Sequence, residues 1–143
     1  MRAPRVLVVD DERSVCQSVD KILRRRGFLI DQALEVEAAL QILERGERFD
    51  LVVADLMMPK AGGVELLKQV RATWPKLPVL LITGYASIAS AVEVMQLGAA
   101  GYLPKPFTPE ELEEAVGAVL QKNPAPAADA DGAAEGVFGL DVG

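Results

Sequence analysis

Five residues carry side chains that could act together on a phosphoryl group or a hard cation: Asp10, Asp11, Asp55, Thr83 and Lys105. The adjacent carboxylates of Asp10 and Asp11 close the apolar run VLVVDD, and Asp55 closes a second run, DLVVAD. Carboxylates held together repel, so the pKa of at least one is expected to rise unless a cation sits among them. A hard divalent cation answers that charge. Mg²⁺ prefers octahedral oxygen ligands, keeps waters and completes its shell with phosphate oxygens, with Mn²⁺ as an alternative. Asp55, set opposite the pair, is the candidate nucleophile, because an aspartate carboxylate can form an acyl phosphate. The Lys105 ammonium and the Thr83 hydroxyl could then stabilise charge spread over phosphoryl oxygens. A single strand-end Asp is often only a turn residue or a helix cap. A set of such groups, each at the corresponding end of its own strand, is not explained that way.

The elements that must position these groups follow from the apolar periodicity, which alternates between short runs and helical spacing. Strands are predicted at 5–10, 28–32, 50–55, 79–83 and 100–103, and helices at 14–26, 36–45, 64–73 and 87–97. Gly27, Gly46 and Gly98 stand as helix stops. A last helix begins at Pro109, with Thr108 as its cap and Glu111 as the capping-box acid. Strands alternating with helices imply parallel pairing, right-handed crossovers and helices on both faces: a doubly wound α/β domain. In such a sheet ligands bind outside the carboxyl ends of the strands. Asp10, Asp11, Asp55, Thr83 and Lys105 are therefore expected on one rim. The domain is expected to span 1–122. The remainder, 123–143, is rich in Pro, Ala, Gly and Asp without a sustained period, and is expected to be a linker or flexible C-terminal tail.

Composition narrows the function. Half of the 143 residues are apolar, enough for a real core. The net charge of −6 argues against direct nucleic-acid binding by this segment. No run of eighteen apolar residues occurs and the N-terminus shows no signal-peptide pattern, so the expectation is a soluble cytoplasmic protein without membrane attachment. Histidine is absent, which removes Ser-His-Asp and Cys-His catalysis, His-ligated zinc and any phosphohistidine on this chain. The one cysteine, Cys16, lies among Val15, Val19, Ile22 and Leu23 and reads as a packing residue. Glu12 reads as a solvated neighbour of the Asp pair.

The motifs VLVVDDE, DLVVADLMMPKAGGVELL, PVLLITGYA and GYLPKPF, in this order and spacing, resemble the response-regulator receiver domain of two-component signalling over roughly residues 5–121. The resemblance implies a flavodoxin-like sheet of order 2-1-3-4-5 and a phosphoryl group accepted on Asp55 from a histidine kinase or phosphotransfer protein. Asp11 would bind Mg²⁺ directly and Asp10 largely through water, with Asp55 and the carbonyl of Met57 completing the protein ligands. Lys105 would pair with the phosphoryl group and Pro106 would follow it in a cis peptide. Thr83 would move toward the phosphate and Tyr102 would swing inward, altering the face of helix 4, strand 5 and helix 5. Gly84 leaves room for that movement. Met57 and Tyr85 occupy positions that tune hydrolysis of the acyl phosphate, and neither readily orients a water, so a persistent phosphorylated state is expected. The implied role is signalling in transcription regulation, with no enzymatic activity beyond the chain's own phosphorylation and slow dephosphorylation. Homodimerisation through the helix 4, strand 5 and helix 5 face stays open.

Within that family, the stretch from Thr83 to Phe107 most resembles receivers of the nitrogen-regulator class that precede σ54-activating ATPase domains. The alternative is a stand-alone receiver serving a phosphorelay or binding a protein. An Mg²⁺-dependent aspartyl-phosphate hydrolase would need a second Asp as general acid and base where Met57 stands. A flavin or nucleotide binder would need a Gly-rich or Ser/Thr-rich phosphate loop where DDERSV stands.

Overall fold

The computed structural model describes residues 3–58 and 62–122, and the expected linker or tail at 123–143 lies outside them. Five strands alternate with five helices: β1 (Arg5–Val9), α1 (Arg13–Arg24), β2 (Leu29–Ala33), α2 (Val36–Glu44), β3 (Leu51–Asp55), α3 (Gly63–Thr73), β4 (Val79–Thr83), α4 (Ile88–Gln96), β5 (Gly101–Pro104) and α5 (Pro109–Lys122). The strands form one parallel sheet in the order β2-β1-β3-β4-β5. Element order, pairing and topology agree with the sequence reading, and the boundaries shift by one or two residues. The largest shift lies at the C-terminal end of α1, which stops at Arg24 because the following residues form a tighter hydrogen-bonded turn closed by Gly27 at φ +89°.

Residues along each strand alternate between two cores. Val6 and Val8 of β1, Leu51 and Val53 of β3, and Leu80 and Ile82 of β4 pack with α1 and α5 through Cys16, Val19, Leu23, Leu112, Val116 and Val119. Leu7, Val9, Val52, Ala54 and Leu81 pack on the other side with α2, α3 and Val94 of α4. The central strands β3 and β4 are buried throughout, as their continuous apolar runs require when helices cover both faces.

This alternation assigns the polar strand ends to faces. Asp10 continues the Val6–Val8 row and Asp55 the Leu51–Val53 row, so both belong to the α1/α5 side of the sheet. Lys105 follows the same row of β5 through Leu103. Thr83 continues from Leu81, and Tyr102 packs against the α2–α4 core, so these two hydroxyls belong to the opposite side.

Candidate functional site

Register brings the acidic strand ends together. Val9 pairs with Ala54, so the next residues, Asp10 and Asp55, sit side by side on adjacent strands. Thr83 pairs with Pro104, and the Lys105 N–H donates to the Thr83 carbonyl at 2.8 Å, which fixes Lys105 one step past the sheet. The Lys105–Pro106 peptide is cis, as the resemblance implied.

Asp10 and Asp55 are buried while Asp11 is exposed. Each of the three presents a carboxylate oxygen within 4.8 Å of the others'. The Lys105 ammonium lies 3.1 Å from Asp10 Oδ2 and 3.5 Å from Asp55 Oδ2. A third carboxylate, Glu12, stands 3.4 Å from the same ammonium. Glu12 was expected to be merely solvated; its side chain is exposed, yet it is an ion-pair partner of Lys105. The two residues are separated by 93 positions, so only the fold reveals the contact.

Backbone N–H groups hold the acids in place. Glu12 N–H donates to Asp10 Oδ1 at 2.9 Å, and Met57 N–H donates to Asp55 Oδ1 at 3.2 Å. The Cys16 thiol donates to the carbonyl of Asp10, and burial pushes its pKa up to about 11, in keeping with a packing role. Burial raises the pKa of both Asp10 and Asp55, against the opposing pull of these N–H groups and of Lys105. Burial alone would lower that of Lys105, but its close contact with Asp10 and the charge of the surrounding carboxylates outweigh it and the pKa is raised.

The cluster suits a hard cation. It supplies only oxygen donors, and buried Asp10 Oδ2 accepts no aligned hydrogen bond, its approach to Lys105 being an ion contact. Among the described residues, one ammonium beside three clustered carboxylates leaves charge to be met.

The turn after β3 depends on two glycines. A Cβ on Gly63 would lie 2.5 Å from the Asp55 carbonyl oxygen and 2.9 Å from Leu56 Cα, and one on Gly62 would lie 2.8 Å from the Leu56 carbonyl oxygen. The start of α3 is thereby packed directly behind Asp55. The sequence showed these glycines in a loop without showing the close approach.

On the other side of the sheet, Thr83 is fully buried and its hydroxyl accepts the Tyr85 N–H at 3.0 Å. A Cβ on Gly84 would meet nothing within 4 Å. The side chains of Met57 and Tyr85 are 56% and 77% exposed, beside the rim and in water. Tyr102 is half-buried, and its Oη lies 2.6 Å from Ser90 Oγ and accepts the Ser87 N–H at 3.2 Å. Ser87 and Ser90 were not singled out in the sequence; nothing local marks a serine on α4 as the neighbour of a tyrosine on β5.

The family model described as the response regulator receiver domain matches residues 6–117. The chain belongs to the response-regulator receiver family. The receiver domain is 39% identical over 118 residues to the response regulator MprA of Mycolicibacterium vanbaalenii, covering 82% of this chain and 51% of that protein. It thus spans about half the length of the curated relatives it matches. Among solved structures it resembles a CheY-like receiver from Methanospirillum hungatei (TM-score 0.79, 30% identity, 85% of this chain and 96% of that one). It also resembles a response regulator from Burkholderia pseudomallei that carries a phosphorylated aspartic acid, a calcium ion and citrate (TM-score 0.71, 34% identity, 78% and 65% covered). Receiver domains of this family are signalling modules of two-component systems, which work with histidine kinases, and are not classical enzymes. Among the described residues, no helix is long and apolar enough to cross a membrane.

Proposed function

We propose that this receiver domain accepts a phosphoryl group on Asp55 from the phosphohistidine of a histidine kinase or phosphotransfer protein. A carboxylate oxygen of Asp55 attacks phosphorus as the phosphorus–nitrogen bond to the donor imidazole breaks, and that nitrogen keeps the bonding electron pair. The product is an acyl phosphate. The observation that carries this reading is the placement of buried Asp55, with Lys105 Nζ 3.5 Å from its Oδ2 and Asp10 and Asp11 alongside.

Asp10, Asp11 and Asp55, with the Met57 carbonyl, would hold Mg²⁺, or Mn²⁺ in its place. When bound, the ion supplies positive charge opposite the phosphoryl oxygens. Lys105 offers its ammonium to the same oxygens. Its contacts with Asp10 and Glu12 hold it on the rim before transfer. Thr83 reads the product by turning its hydroxyl toward the phosphoryl group, and Tyr102 follows. Neither exposed Met57 nor exposed Tyr85 can orient an attacking water well, so the acyl phosphate persists.

The output is a changed α4–β5–α5 face. Ile88, Val92 and Met95 form an exposed apolar stripe on α4, and Ile88 is 85% exposed. An effector domain or a second copy of the chain would cover it, and control of transcription is the proposed end of the signal. The likeness of the stretch 83–107 to nitrogen-regulator receivers supports a σ54-type output. The terminal residues 123–143 would act as linker or tail to the 1–122 domain, which works in the cytoplasm and does not itself hold nucleic acid.

Incubation with acetyl phosphate and Mg²⁺, followed by intact-mass measurement, tests the reading. One phosphoryl adduct is expected on the native chain and none on Asp55→Ala. Absence of the adduct from the native chain, or its full retention in the variant, would overturn it.

A further inference from the structure

Three hydroxyls outside the acidic rim form a closed network. Ser87 caps α4, its Oγ accepting the Ser90 N–H at 3.0 Å. The Ser87 hydroxyl donates to Ser90 Oγ at 3.1 Å, and the Ser90 hydroxyl donates to the Ser87 carbonyl at 3.2 Å. A hydroxyl has one proton and two lone pairs. With its proton on Ser87 O and one lone pair facing Ser87, Ser90 Oγ has one lone pair left, and Tyr102 Oη stands 2.6 Å away to donate to it. The Tyr102 oxygen in turn accepts the Ser87 N–H at 3.2 Å. In this arrangement every hydroxyl in the set donates to a protein acceptor, Tyr102 to Ser90 Oγ.

The network anchors one end of the segment that Thr83 begins. Thr83 lies on the α2–α4 side of the sheet and Asp55 on the α1/α5 side, and the Thr83 hydroxyl is tied to its own loop through Tyr85 N–H. For that hydroxyl to reach a phosphoryl group on Asp55, residues 83–87 must shift. Ser87 and Ser90 hold the far end of that segment to β5 through Tyr102.

We propose that Ser90 is a positioning residue for Tyr102, and that the Ser90–Tyr102 clasp stabilises the resting arrangement of the β4–α4 segment against the one phosphorylation requires. The proposal rests on the reading of Tyr102 as a switch coupled to Asp55. An interaction present in only one of two states biases their populations by its own free energy. A hydrogen bond's usual net contribution corresponds to a shift of roughly 2- to 10-fold.

The test compares initial phosphorylation rates with acetyl phosphate and Mg²⁺ for the native chain, Ser90→Ala, Tyr102→Phe, the double variant and Ser90→Thr. Ser90→Ala keeps the backbone N–H that the Ser87 cap uses, so α4 retains its start. Expected are rates about 2- to 10-fold faster in both single variants, no further gain in the double variant, and return toward the native rate in Ser90→Thr. A faster Tyr102→Phe beside an unchanged or slower Ser90→Ala would leave the switch reading standing and overturn the clasp. Unchanged rates in both would overturn the switch reading itself and the clasp with it. Additive gains in the double variant would also overturn the clasp, because the two hydroxyls would then act separately.

Discussion

The acidic rim and the α4–β5 face are built on opposite principles. Asp10 and Asp55 end strands whose side chains are almost completely buried, and their carboxylates are fixed by backbone N–H groups and one ammonium. α4 buries only Val94, leaves Ile88, Val92 and Met95 to solvent, and is tied to β5 by hydroxyls. α5, on the other side of the sheet, buries Leu112, Val116 and Val119. A group that must meet a phosphoryl donor gains from rigid placement. An element that must report the event is drawn from the weakly packed end of the structure. The difference teaches where substitutions act: on the rim they change the chemistry of transfer itself, and on α4 they change the output surface or, at Ser90, the balance of states that transfer draws on.

The largest effect is expected at Lys105. Among the described residues Lys105 carries the only ammonium in contact with the acids; Lys105→Ala removes it, and phosphorylation by acetyl phosphate should slow by roughly 100-fold or more. A loss under threefold would place the charge stabilisation elsewhere. Next, Gly63→Ala drives a Cβ against the backbone of Asp55 and Leu56. It should destabilise the fold by about 1–3 kcal/mol in urea unfolding and slow phosphorylation as well, because the distortion lies directly behind the acceptor.

A smaller effect of the opposite sign comes from the rim's charge. The pKa values of Asp10 and Asp55 are raised above the ordinary 3.8 by burial, so the folded state binds protons more tightly than the unfolded one. In metal-free protein, stability should therefore rise as pH falls from neutrality through the folded values toward 3.8, until other acids protonate. Asp10→Asn should raise the metal-free melting temperature by a few degrees at neutral pH and weaken the gain on adding Mg²⁺. Lys105 has the other sign: its raised pKa contributes stability that is complete below 10.5 and lost as pH rises through the folded value. The smallest effect on the fold is expected at Val92→Ser on exposed α4, within about 0.5 kcal/mol of native stability. Phosphorylation should be unchanged, while binding of the effector proposed to cover the α4–β5–α5 face should be lost. A variant that slowed phosphorylation as Lys105→Ala does would erase the division between the two regions.

Much of this was legible in the sequence because it is written in local patterns. Five short apolar runs alternating with stretches of helical spacing specified the elements, and the carboxyl-end rule then gathered Asp10, Asp11, Asp55, Thr83 and Lys105 on one rim. The Thr108–Glu111 capping box could be read from spacing, and both of its hydrogen bonds are present. What escaped depends on side-chain direction across long separations. Glu12 meets Lys105 only after the sheet has closed the distance between β1 and β5. Ser90 meets Tyr102 because α4 folds back over β5, and Gly63 is required because of the path of a turn. The opposite faces of Asp55 and Thr83 were available from strand parity once the strand registers were known.

The central claim is that the strand-end cluster makes Asp55 the acceptor of a phosphoryl group. Borohydride reduction converts an aspartyl phosphate to homoserine, and peptide mapping after exposure to acetyl phosphate locates it. Homoserine at position 55, formed with Mg²⁺ and lost when the metal is chelated, is the predicted result. Homoserine at another aspartate, or none at all in folded protein with Mg²⁺ present, would contradict the account.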